Sequence, residues 1–237
     1  MRRLAPALAL LLAAGCTADS PDGAGAAGAP DAVEVRTVRD DSTGIALPRV
    51  ALAGRPEVEA RVNAALDSLA ASLTCGDLSG LPADVPETDY EARTRVTHAA
   101  HDVLSVNVHA SYYCGGPYPT NDANRSATYD LTTGEAVPFW SLFREGEADR
   151  TAVAGVLETT LAPAAAGVDA GCADALTAEA LATATIAYAL TDTGVLVQPQ
   201  FPHVIEACAV ESEIPYGSLR AFARDGNVLT RIADAAQ

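Results

Sequence analysis

The stretch from Val103 to Cys114 does most to limit how this chain can fold. Leu104, Val106, Val108, Ala110, Tyr112 and Cys114 take every second place, with Ser105, Asn107, His109 and Ser111 between them. A period of two puts successive side chains on opposite faces of an extended strand, so the stretch predicts a long strand with one buried and one polar face. Such a strand needs partners. Tyr90 to His98 alternates before it, and His98 to Asp102 turns the chain between the two. Ser126 to Leu131 returns after it and closes through a hairpin turn at Thr132-Thr133-Gly134-Glu135 into Ala136-Val137. Val33–Arg39 and Ile45–Val50 predict two further short extended pieces. A last strand pair lies on either side of Asp192-Thr193-Gly194 and leaves through Ile214-Pro215-Tyr216 into a short helix or turn from Ser218 to Phe222. Asp225-Gly226-Asn227 then leads into a short tail.

Helical periodicity fills the gaps. Pro56 followed by Glu57 suits the first turn of a helix, and Val58, Val62, Leu66, Leu69 and Leu73 fall on one face of it. Asn63 sits inside that helix with no capping role, and Gly76 after Cys75 is in the stop position. Glu147 to Leu161 predicts a second helix with Val153, Val156, Leu157 and Leu161 inward. Leu176 to Ala182 predicts another, with Thr177 as N-cap. Phe139–Phe143 is a short helical or turn segment carrying the only tryptophan, Trp140. With aromatics at 5% of the chain, Trp140 is expected to be in the core. The pattern defines an α+β fold: an antiparallel or mixed sheet with helices packed on one face.

The N-terminus predicts an address. Met1-Arg2-Arg3 is a positive n-region, and Leu4 to Ala14 is apolar, of signal-peptide length and too short for a membrane span. It ends in Leu12-Ala13-Ala14-Gly15-Cys16, small residues before a cysteine, as in the lipobox of bacterial lipoproteins. On that reading residues 1–16 are the leader and its lipidated cysteine. Cys16 then carries the acyl chains, and several chains give firm anchoring where one would not. Thr17 after it matches the outer-membrane sorting pattern if the cell has two membranes. Residues 17–32 are rich in Asp, Gly, Ala and Pro without periodicity and predict a flexible tether. Residues 33–237 then form a single extracytoplasmic module, with one half over about 33–100 and the other over about 101–225.

Cys75, Cys114, Cys172 and Cys208 remain, an even number in an exported chain with no CxxC spacing. Two disulfides are the natural outcome in an oxidising compartment, and four cysteines allow three connectivities. Cys75–Cys114 with Cys172–Cys208 keeps each bridge within one half of the chain.

The net charge is −16, every basic residue is arginine, and the leader holds two of the arginines and no acid. Such a field disfavours nucleic acid and anionic surfaces and attracts cationic partners. A high-GC genome or adaptation to salt produces the same bias without any partner.

Against this background the chain shows a family resemblance. Ile45-Ala46-Leu47-Pro48-Arg49-Val50 followed by Val58–Asn63 looks like the extended segment with Pro, then helix with an internal Asn, that opens the ectodomains of RsiV-type anti-sigma factors. It is also similar to the accessory region of PdaC-type peptidoglycan deacetylases. Val103–Val106, Tyr129–Glu135 and Leu142-Phe143 resemble that family's next strand and hairpin. Tyr188, Leu190–Val195 and Ile214–Leu219 resemble its C-terminal half. The likeness runs in order over nearly all of Ile45 to Phe222. It implies an extracytoplasmic sensing or binding module, with lysozyme or peptidoglycan as the partner. The chain shows neither a cytoplasmic anti-sigma segment nor a deacetylase domain, so transmembrane signalling and that enzyme activity are not carried over.

Catalytic motifs are absent from the sequence: there is no Gly-x-Ser-x-Gly, HExxH or Gly-rich phosphate loop. His98, His101 and Asp102 invite a metal reading, but on a hairpin turn that spacing is more often a solvated tip. His109 belongs to the polar face of its strand, and nothing fixes a partner for His203. No metal, cofactor or catalytic residue is therefore assigned. The best binding candidate is the aromatic loop after Cys114: Tyr112, Tyr113 and Tyr118, with Phe139-Trp140 nearby, could form a face for a protein or glycan. With Tyr112 and Trp140 in the core, the surface is left to Tyr113 and Tyr118, with His109 on the polar face of the strand before them. The expectation is a non-enzymatic, lipid-anchored binding or sensing module, the alternative an envelope hydrolase of unrecognised type.

Overall fold

The computed structural model describes residues 33–39, 45–73, 89–113 and 121–235. The expected leader and tether, with Cys16, Cys75, Cys114 and Tyr118, lie outside the described residues. β1 (Val33–Arg39) pairs antiparallel with β2 (Ala46–Leu52), from Val33 opposite Leu52 to Arg39 opposite Ala46. After α1 (Pro56–Ala71), the strands β3 (Asp89–Ala100), β4 (Val103–Tyr113), β5 (Asn121–Asp130) and β6 (Glu135–Ala136) form a four-stranded meander in that order. A 3-10 turn at Phe139–Leu142 leads to α2 (Glu147–Ala166), α3 (Cys172–Ala175) and α4 (Ala178–Thr183). A second, three-stranded sheet runs β7 (Thr185–Leu190), β8 (Gly194–Gln200) and β9 (Ser212–Pro215), with a 3-10 segment at His203–Cys208 between the last two. The chain finishes through α5 (Tyr216–Leu219), a 3-10 turn at Arg220–Phe222 and α6 (Val228–Ala235). Every described strand pairing is antiparallel, so the fold is α+β with antiparallel sheets.

The alternation read from β4 sets the first core. Leu104, Val106, Val108 and Ala110 bury one face of the meander against Val62, Leu66, Ala70 and Leu73 of α1's apolar stripe. Ile45, Leu47, Val50 and Leu52 around β2 close that core with Tyr129 and Leu131. The turn after β5 is seated on the helix: Arg61 Nη1 donates to the Thr133 carbonyl at 2.6 Å. Gly134 there has φ +77°, and a Cβ would stand 3.2 Å from the Val58 carbonyl, so the position needs glycine for both shape and room.

A second core lies under α2. Val153, Leu157 and Leu161 pack with Ile186, Tyr188 and Leu190 of β7, with Val195 and Val197 of β8 and with Ile214 of β9. The tail expected after Asn227 is instead a helix that completes this core. Val228, Leu229, Ile232 and Ala233 are buried in it. Asn227 caps it, its Oδ1 accepting from the Thr230 amide at 3.0 Å. With eight residues, α6 is shorter than the window over which helical periodicity can be read.

Cys172 at the start of α3 and Cys208 at the end of the second 3-10 segment are joined as a disulfide. The other expected pair, Cys75–Cys114, falls outside the described residues.

Candidate functional site

The polar face of β4 is covered over Ser105 and Asn107 and opens to solvent at His109. The second sheet lies against it, with β7 running closest to β4 and β5. Ser105 is fully buried. Its Oγ is 2.8 Å from Thr128 Oγ1 and accepts from the Leu190 amide at 2.8 Å. β7 pairs only with β8, so Ser105 supplies the partner that an edge strand lacks. Farther along the seam, Asn107 Nδ2 donates to Asn124 Oδ1 at 2.8 Å and to Ser126 Oγ at 3.1 Å, while Asn124 Nδ2 donates to Glu211 Oε2 at 2.9 Å. Hydroxyl contacts from Thr193 and Thr191, with Arg95 nearby, hold the Glu213 carboxyl below the usual carboxylate range. Tyr216 donates to the Thr191 carbonyl at 2.6 Å and Tyr188 to that of Val137, and burial raises both phenols well above their ordinary value. Burial likewise pushes Tyr129 up to about 12. Ser105 and Asn124 join the two sheets, Glu213 and Tyr216 hold the β7–β8 turn, and the chemistry of these groups is structural.

His98 belongs to this seam and is not part of a solvated tip. The turn is His101-Asp102 alone, with φ of 53° and 56°, the left-handed pair that a two-residue hairpin requires. A register shift between Val96 and His98 places His98 opposite Ser105. Its side chain is 4% exposed, and its Nδ1 lies 3.0 Å from Asp192 Oδ1 in the β7–β8 turn. Its Nε2 is buried with no hydrogen-bond partner among the described residues. The exposed His101 ring stacks on it with centroids 6.0 Å apart. A carboxylate thus orients an imidazole whose other nitrogen faces neither solvent nor a hydroxyl. Among the described residues no set of three His, Cys, Asp or Glu side chains could hold a metal ion. Asp102, next to His101, instead accepts from Arg55 Nη1 at 2.8 Å, and the same nitrogen donates to the Leu131 carbonyl at 3.0 Å.

Of the residues nominated for binding, His109 is exposed on β4, opposite Arg93 of β3 and Asn124 of β5. Tyr113, four residues on, shares its sheet face and is half-buried. Tyr118 falls outside the described residues, as does the rest of the loop after Cys114. His203 opens the second 3-10 segment, far along the chain from the others.

A cleft of about 350 Å³ lies elsewhere, lined by Trp140, Phe143, Arg144, Glu145, Gly146, Glu147 and Arg150. Trp140 was expected in the core. It is only half-buried, while Phe139 and Phe143 beside it are buried. Its indole meets Phe139 edge-on with centroids 4.9 Å apart, and Nε1 donates to the Ala184 carbonyl at 3.4 Å. The Arg150 guanidinium sits 4.4 Å from the ring centroid, and its Nε donates to the Ala182 carbonyl at 2.6 Å. Arg144 is committed to Asp149 and to the Ala221 carbonyl, and Glu145 to Arg224. The start of α2 at Gly146 has no side-chain cap, so its first-turn amides are uncapped at this cleft. Of this place the sequence marks Trp140 alone, beside Phe139, and its reading puts that indole in the core. The cleft's residues come from a 3-10 turn, a loop and a helix start, none of which carries a motif.

These features define an α+β protein of antiparallel sheets, backed by helices and joined through a polar seam. The same fold is found in solved structures. A member of the DUF3298 family from Bacteroides fragilis NCTC 9343 aligns over 86% of this chain and 98% of its own, with a TM-score of 0.56 and 11% identity. A DUF3298 family protein from Pseudomonas aeruginosa PAO1 aligns over 83% of this chain and 96% of its own, with a TM-score of 0.51 and 13% identity. At these identities the likeness is one of fold. No family model and no curated protein matches the chain.

Proposed function

We propose that the protein is a lipid-anchored, extracytoplasmic module that binds a ligand of the bacterial cell envelope, a cationic protein such as lysozyme or peptidoglycan, without catalysing a reaction. The observation that carries this reading is the joined Cys172–Cys208 pair in a chain that opens with an export leader ending at Cys16. A disulfide of this kind persists in oxidising compartments and is rare in the cytosol. The anchor follows from Cys16 and the reach from the tether behind it. The net charge of −16 favours encounter with a cation. Binding is favoured over catalysis because the imidazole that a carboxylate orients, His98, has its remaining nitrogen sealed inside the protein. The hydrolase alternative calls for His98, His101, His109 or His203 beside a carboxylate or serine in a pocket, and His98, the one that Asp192 orients, is closed to a substrate. No helix among the described residues is long and apolar enough to cross a membrane.

The test has two arms. Fractionation of cells expressing the native chain and Cys16→Ser should find the first in membranes and the second released. Pull-down with lysozyme and with muropeptides should then retain one of the two. Equal partitioning of both chains would remove the anchor, and failure to retain either ligand would remove the binding role.

A further inference from the structure

We propose that the cleft beside Trp140 is a saccharide site, one that takes an acylated amino sugar. The proposal deepens the envelope-binding reading and rests on it for the source of the sugar.

Trp140 is the only indole in the chain, and like Tyr113, Phe201 and Phe222 it is left half open, while Phe143, Tyr129, Tyr188 and Tyr216 are buried. It is nonetheless held, by its Nε1 bond to Ala184 and its edge contact with Phe139. A fixed, half-exposed aromatic offers a platform to the C–H face of a pyranose at little cost in side-chain freedom. Arg150 is fixed beside it through Nε, which leaves both Nη groups as donors with no acceptor among the described residues. The uncapped amides at the start of α2 add donors in the same place, and Glu147 supplies a carboxylate acceptor.

The charge pattern narrows the ligand. The protein is strongly acidic, yet this cleft sets two arginines against two glutamates. A site for a cation would be acidic here, and a site for an anion would lack the carboxylates. A sugar carries hydroxyls that donate and accept as well as an apolar face, and its acyl carbonyl matches the unused Arg150 donors. A volume of about 350 Å³ is at the low end for ligand pockets, roughly 300–1,000 Å³, which suits a short saccharide and excludes a folded partner.

Because Trp140 is the sole tryptophan, its fluorescence reports this cleft and no other. The full chain in detergent is titrated with the β-1,4-linked tetramer of N-acetylglucosamine while the emission is followed. A saturable shift is expected. Arg150→Ala should weaken it about tenfold, the worth of one charge-assisted hydrogen bond. Arg36→Ala, exposed on β1 and absent from the cleft lining, should leave it unchanged. If Arg150→Ala does not melt cooperatively, Arg150→Lys replaces it and should still weaken binding severalfold, since an ammonium lacks the planar fork. An emission that does not respond to the tetramer, or an affinity equal in native and Arg150 variants, overturns the proposal. Lysozyme capture and membrane anchoring do not use the cleft. Their survival alongside a failed titration removes the saccharide site alone, whereas loss of all three removes the envelope-binding reading with it.

Discussion

Asn63 reaches from α1 to β2 and holds both backbone groups of Val50, its Oδ1 accepting from the amide and its Nδ2 donating to the carbonyl, each at 3.0 Å. β2 pairs with β1 along one edge only, so the asparagine amide stands in for a neighbouring strand on the other. Glu59 extends the same edge, its Oε2 accepting from the Leu52 amide at 2.8 Å. The helix is thereby locked to the strand in one register, with Arg49 and Asp67 paired farther along.

Asn63→Ala leaves a donor and an acceptor of Val50 unmet at a buried residue. A loss of about 2–6 kcal/mol is expected, from about 1–3 for each abandoned group. Asn63→Asp keeps the acceptor and loses the donor, so it should fall between alanine and the native chain. Equilibrium unfolding in urea measures the order, and three equal midpoints would show that the edge needs no cap.

Asp130 predicts acid sensitivity. Burial raises its carboxyl, but the hydroxyl and amide of Thr132 and the guanidinium of Arg231 outweigh that and hold it below the ordinary aspartate value. Arg231 Nη2 is 3.0 Å from Asp130 Oδ2, which ties α6 to the turn after β5. A depressed folded-state value means stability that is present above the unfolded value and is lost as pH falls through the folded one. The melting temperature should therefore drop below about pH 4, where free aspartate begins to protonate. Asp130→Asn should blunt that part of the drop. An unchanged acid limb in the variant would place the sensitivity elsewhere.

The Cys172–Cys208 bridge closes a loop with a sequence separation of 36. Opening it by Cys172→Ala with Cys208→Ala should cost about 4 kcal/mol on loop entropy alone. Both residues are buried, so the alanines also forfeit some packing. Chemical unfolding of the double variant against the native chain gives the number, and a change within about 0.5 kcal/mol would count against the loop-entropy account.

Gly194 begins β8 directly against β9. A Cβ there would lie 2.4 Å from the Ile214 carbonyl oxygen, and the obstacle is backbone that cannot rotate aside. Gly194→Ala should destabilise by about 1–3 kcal/mol through overpacking. Gly155→Ala, where a Cβ meets nothing within 4 Å on the helix α2, is the control and should stabilise by a few tenths up to about 1 kcal/mol. Thermal melts of the pair should move in opposite directions.

Local pattern carried much of the fold. The start of β4 at Val103, the start of α1 at Pro56, the turn through Gly134 and the Thr177 cap all follow from neighbours in the chain, because capping, turn shape and side-chain period act over a few residues. Thr177 does accept from the Ala180 amide, at 3.3 Å. The fate of polar residues did not follow in this way. Ser105, His98 and Asn63 each look like ordinary solvated or unassigned positions. Each bonds a group 13 or more residues away: Val50 for Asn63, Asp192 for His98 and Leu190 for Ser105. Trp140 was misplaced for the same reason, since its exposure depends on where α2 and the loop before it come to rest.

The sequence by itself determined most of the strand and helix pattern, the α+β class and the pairing of Cys172 with Cys208 as one of three choices. Those properties rest on short-range sterics, hydrophobic period and the chemistry of single residues. Only the tertiary structure decided that the polar face of β4 is an inter-sheet seam, that His98 is closed off by Asp192 and its own burial, and that Trp140 opens a cleft with Arg150. A hydroxyl or an imidazole suits water and a satisfied interior equally well. Which of the two it meets is set by the packing of elements far apart in the chain, where a second sheet laid on the first replaces water with backbone amides and carboxylates.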